Sequence, residues 1–150
     1  MPQLKRTRFT EFIAAPVDRV HSLMIGRDSY EQWTSAFAEG STFDGSWEQG
    51  QRIRFTGPSG DGMLAEIAEH RPNAFISIRH IGMIMNGVED TDSEAVRAWA
   101  PAYENYTFEP ADGGTRLVID MDVNDAYEDY MRETWPKALR ALKALCEEQA

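Results

Sequence analysis

The sequence predicts an α+β fold, an antiparallel sheet combined with one long C-terminal helix and two short helices near the start. Three observations point there. Turn signals recur through the middle of the chain, the runs between them alternate apolar and polar residues, and the C-terminal run repeats its apolar residues at spacings of three and four.

The elements follow in order. Thr7 to Ala14 is rich in β-favouring residues and stops at Ala15-Pro16, where proline suits the first helical position because its missing N–H would be unpaired there anyway. In the helix that follows, Val17, Val20, His21 and Met24 share one face. Gly26 is a natural stop, and Asp28 or Ser29 caps a second short helix carrying Tyr30 and Trp33, expected to cover one end of the sheet.

From Thr42 onward the punctuation is that of hairpins: Asp44-Gly45, Gln49-Gly50, Pro58 to Gly62, Pro72-Asn73 and Asp112-Gly113-Gly114. Strands are expected over Thr42 to Trp47, Gln51 to Gly57, Met63 to His70, Ala74 to Ile81, Tyr103 to Glu109 and Thr115 to Val123. Strand parity turns Ile53 and Phe55 to the apolar face, with Met63, Ala65 and Ile67, then Ile76, Ile78 and His80, then Glu104, Tyr106 and Phe108, and finally Leu117, Ile119, Met121 and Val123. Gly82 to Pro101 is too long for a tight turn and reads as a lid, its helix starting at Thr91-x-x-Glu94. After a cap at Asp125-x-x-Glu128, the residues Tyr127, Met131, Trp135, Ala138, Leu142 and Leu145 mark the inward face of the last helix, with a kink or restart at Pro136.

Composition narrows the function classes. With 42% hydrophobic and 11% aromatic residues, residues 1–150 are expected to form one domain that buries roughly 70% of the unfolded chain's surface. A net charge of -10 repels phosphate backbones and anionic headgroups, so no nucleic acid partner and no membrane insertion are expected. The start carries Lys5, Arg6 and Arg8 without an apolar run behind them and reads as a strand, not a signal peptide. The single cysteine, Cys146, suits a buried residue in a reducing, cytoplasmic location.

Five segments carry a family resemblance: Ile13-Ala14-Ala15-Pro16 with Val20; Trp33; Gly45-Ser46-Trp47-x-x-Gly50; Phe108-Glu109-Pro110 with Gly113-Gly114-Thr115-Arg116-Leu117; and Trp135-x-x-x-Leu139-x-x-Leu142. In this order and spacing they resemble the START-related helix-grip (SRPBCC-type) superfamily, and within it the branch similar to the C-terminal domain of the heat-shock-protein-90 ATPase activator. The resemblance implies a curved antiparallel sheet wrapped around the C-terminal helix, with a hydrophobic cavity between them. His21 stands where the family usually has a large apolar ring, and Gly82 to Trp99 is a long acidic insertion.

Chemistry is sparse. Asp120-x-Asp122-x-Asn124 begins like a calcium loop, but Asp125 stands where the turn needs glycine and Met131 where it needs glutamate. No zinc spacing, phosphate loop or nucleophile elbow occurs, so neither metal nor cofactor is expected. What remains is His80 and Glu104 on the apolar face of neighbouring strands, flanked by Tyr106 and by His21 from the first helix. Such a pair serves either as a hydrogen-bonded polar group at a cavity mouth or as an acid and base. Phe55 and Trp47 read as packing. The expected ligand-binding set is Trp33, Phe37, Ile78, His80, Trp99, Glu104, Tyr106, Tyr127, Met131 and Trp135, since ligand sites are mostly apolar with a few placed polar groups. The function this implies is a non-enzymatic domain holding a small hydrophobic or amphipathic molecule. The alternatives are a protein-interaction module with a chaperone partner, and a cyclase- or dehydratase-like enzyme using His80 and Glu104.

Overall fold

The computed structural model describes residues 4–148; the ends of the 1–150 range expected as one domain lie outside the described residues. Eight strands form one antiparallel sheet: β1 (Leu4–Ile13), β2 (Thr42–Gly45), β3 (Arg52–Thr56), β4 (Gly62–Arg71), β5 (Phe75–Met85), β6 (Val88–Asp90), β7 (Ala102–Ala111) and β8 (Gly114–Asn124). Their order is β1-β8-β7-β5-β4-β3-β2, so the later strands run as a meander and β1 closes against β8. The curved sheet holds α4 (Glu128–Glu147) across its inner face, with α1 (Val17–Ile25) and α2 (Arg27–Trp33) beside it.

The inner face is apolar because strand parity puts Ile53, Ala65, Ile67, Ile76, Ile78, Tyr106, Leu117 and Ile119 there, all buried in one core cluster with Trp33, Trp135, Ala138, Leu139 and Leu142. The opposite face of β1 and β8 is wet: Arg6 pairs with Asp122 at 2.9 Å and Arg8 with Asp120 at 2.8 Å. These exposed pairs contribute little to stability. They account for the alternating acids that begin like a calcium loop, while Asn124 caps the 3₁₀ turn Asp125–Tyr127 by accepting from the Ala126 amide.

Two bulges depart from simple parity. Leu64 pairs with Gly82 and Ala65 with His80, which leaves Ile81 as an extra residue in β5; Ile67 pairs with Ile78 and Glu69 with Ser77, which leaves Ala68 extra in β4. Beyond Ile81 the parity of β5 reverses, and Gly82 and Ile84 share the outer face with Leu64. Beyond Ala68 the parity of β4 reverses too, and His70 turns inward opposite Ile76.

The segment read as a lid folds otherwise. β5 continues to Met85, Asn86 and Gly87 turn with φ of 51° and 78°, and β6 pairs back on β5 from Val88 to Asp90. Asn-Gly is the usual two-residue hairpin turn, because both positions need φ above zero. A short α3 (Glu94–Arg97) follows, capped by Ser93 and not by Thr91, with Val96 buried. Ser93 lowers the Asp90 pKa, first through its side chain and then through its amide, which donates to Asp90 Oδ1 at 3.0 Å.

Helix α4 runs without a break through Pro136, so the expected restart is absent. Its inward face is Thr134, Trp135, Ala138, Leu139, Leu142 and Cys146. Burial pushes the Cys146 thiol up to about 11, which keeps it protonated and unreactive. The helix end is tied to β1: Glu147 accepts from the Ala14 amide at 2.8 Å and from Lys143 at 2.7 Å. Among the described residues no helix is long and apolar enough to cross a membrane.

Candidate functional site

Between α4, α2 and the β3–β4–β5–β7 part of the sheet lies a recess of about 420 Å³. Seven phenylalanine, tyrosine and tryptophan rings wall it: Tyr30 and Trp33 from α2, Phe37 just after it, Phe55 from β3, Tyr106 from β7, and Tyr130 and Trp135 from α4. Three thioethers, Met63, Met121 and Met131, fill between them and adapt in shape more readily than branched side chains. The rings brace one another. Trp135 lies 5.8 Å from Trp33, 5.2 Å from Phe37 and 6.2 Å from Tyr106, centroid to centroid. Trp33 also donates its indole N–H to the Met24 carbonyl at 3.1 Å, which ties α2 to the end of α1.

The polar element of the recess is built across β5 and β7. Glu104 pairs with Ile78 and His80 with Ala102, so the two side chains are diagonal neighbours on one face. His80 donates from Nε2 to Glu104 Oε1 at 3.0 Å, and the Tyr106 hydroxyl donates to Glu104 Oε2 in a short hydrogen bond. With its proton on Nε2, His80 presents Nδ1 as an acceptor, and that atom has no partner within the protein. Nε1 of Trp135 is likewise buried and unpaired. Burial pushes the Tyr106 and Tyr30 hydroxyls far above the ordinary tyrosine range, and the negative charge of Glu104 adds to both. Both therefore stay neutral.

Seven of the ten residues expected to bind ligand line this recess: Trp33, Phe37, His80, Glu104, Tyr106, Met131 and Trp135. Three do not. Ile78 faces the right way but is fully covered within the core. Trp99 belongs to the segment that folds as β6 and α3, none of which reaches the recess. Tyr127 sits in a 3₁₀ turn, where three residues per turn break the phase carried back from Met131, and it is 60% exposed. Sequence reasoning gave Phe55 to packing and missed Tyr30, Tyr130, Met63 and Met121 as lining residues. Inward parity already marked both methionines.

His21 does not flank the Glu104 pair. It packs edge-on against Phe108, four residues along β7 from Glu104 and so roughly 13 Å away. There its Nε2 lies 2.8 Å from Nε2 of His70, the residue turned inward by the Ala68 bulge, while His70 Nδ1 donates to the Trp47 carbonyl at 2.7 Å. Burial, and then the proximity of His70, lowers the His21 pKa below its ordinary value. The unfolded chain then takes up a proton near pH 6.5 that the folded chain refuses, so this contribution to stability is intact above about pH 6.5 and declines as the pH falls through it. An NMR titration should find His21 titrating below about 6.5; a value at or above it would show that burial does not govern this imidazole.

A family model described as Activator of Hsp90 ATPase homolog 1-like protein matches residues 14–147. No curated protein matches the chain. Among solved structures, protein MLL2253 from Mesorhizobium loti is 16% identical with a TM-score of 0.75, over 97% of this chain and 99% of that one. The Aha1 dimer from Colwellia psychrerythraea, a solution structure, is 16% identical with a TM-score of 0.68, over 95% and 96%. CalU16 from Micromonospora echinospora is 16% identical with a TM-score of 0.66, over 93% and 74%. At these identities the likeness is one of fold.

Proposed function

The chain belongs to the Activator of Hsp90 ATPase homolog 1-like family, and from that membership and the geometry of the recess we propose that it is a non-enzymatic binding domain for a small hydrophobic or amphipathic molecule, held between the sheet and α4. The observation that carries this is a recess walled by seven phenylalanine, tyrosine and tryptophan rings, where His80 and Trp135 each keep a buried ring nitrogen unpaired. An unpaired buried polar atom costs about 1–3 kcal/mol. A ligand that hydrogen-bonds there recovers part of that cost while covering apolar surface.

The test is an NMR titration with a mixed library of amphipathic aromatic compounds. Shift changes confined to Trp33, Tyr106, Trp135 and their neighbours are expected. Shifts spread over the surface, or none, would remove the reading. A second reading, a module that binds a chaperone, has the family description and the likeness to the Aha1 dimer in its favour. It requires shifts on adding the chaperone that leave the recess residues unchanged.

A further inference from the structure

We infer that the recess selects a cation, an aromatic or amphipathic amine whose ammonium group seats against Glu104, and rejects carboxylic acids of the same shape. The inference rests on the ligand-binding reading above and adds the sign of the ligand's charge.

The lining contains neither lysine nor arginine. Glu104 is its only carboxylate, and the Glu104 side chain is 15% exposed. Its oxygens already accept from Tyr106 and His80, yet a carboxylate offers about four lone-pair sites, so room remains for a further donor. Aromatic rings line the same space, and the face of such a ring attracts cations, most strongly where water is excluded. A ligand carboxylate would instead bring a second negative charge beside Glu104, with no lysine or arginine in the wall to receive it. Tyr30 and Tyr106, held neutral, can donate hydrogen bonds but supply no positive charge.

The experiment compares three ligands of matched shape by calorimetry at pH 8 and about 150 mM salt, where long-range surface attraction is largely screened: 1-naphthylmethylammonium, 1-naphthylmethanol and 1-naphthoate. A hydrogen bond to a charged group contributes about 1.5–3 kcal/mol, so the ammonium should bind at least about tenfold more tightly than the alcohol, and the carboxylate more weakly than either. In Glu104→Gln the advantage of the ammonium over the alcohol should vanish. Attraction by the protein's overall charge would survive that substitution. Naphthoate binding as tightly as the ammonium overturns the inference and leaves the cavity reading intact, whereas no binding by any of the three overturns both. The wild-type series decides the matter even if Glu104→Gln fails to fold.

Discussion

Trp135→Ala is expected to destabilise the protein by about 3–5 kcal/mol, the usual cost of deleting a large buried aromatic side chain. The ring is 2% exposed and touches four separate elements of the fold. It stacks on Phe9 of β1 at 6.1 Å and meets Trp33 of α2, Phe37 of the following turn and Tyr106 of β7. Removing it leaves these rings facing a void that backbone shifts cannot fill, because α4 is anchored on both sides of it. Trp135→Phe keeps most of the contact and should cost far less. Guanidinium unfolding decides this, and an unchanged midpoint in Trp135→Ala would show that the ring does not anchor the gripped helix.

Gly114→Ala should be nearly as damaging, by about 3 kcal/mol, for a different reason. A Cβ on Gly114 would lie 2.1 Å from the Ile13 carbonyl oxygen and 2.9 Å from the Ala14 Cα. Both are backbone atoms at the point where β1 ends beside the start of β8, so neither can swing aside as a side chain would. Its neighbour Gly113 behaves in the opposite way. It has a φ of 80° and open space where a Cβ would go, so Gly113→Asn, which tolerates that conformation, should cost well under half as much. Equal midpoints for the two variants would mean that the β1–β8 junction has slack that this geometry lacks.

The two substitutions separate what a motif shows from what it hides. Gly113-Gly114 reads in the sequence as one turn signal, and the turn is there. Only the backbone of β1, a hundred residues earlier, makes the second glycine indispensable and the first replaceable. The His80–Glu104 meeting was more legible, because period-two alternation turned both inward and the turn series made their strands neighbours. Asn86-Gly87 is also a turn signal, but the length of Gly82 to Pro101 and the helix start at Thr91-x-x-Glu94 make the whole segment read as a lid. With the segment folded as β6 and α3, Trp99 is left outside the recess.

By itself, then, the sequence determined the sheet, the gripped helix and the polar pair, because these depend on periodicity and on turn chemistry that each segment carries locally. The tertiary structure alone decided where parity breaks. The extra residues Ile81 and Ala68 show only in the pairing of β4 with β5, and a bulge of this kind leaves no mark in the alternation of either strand. One bulge ends the inward run of β5 at His80, beside the recess. The other swings His70 inward onto His21. Side chains that seem adjacent by strand count are joined or parted by a single inserted residue, since one residue of slip carries every later side chain to the other face of the sheet.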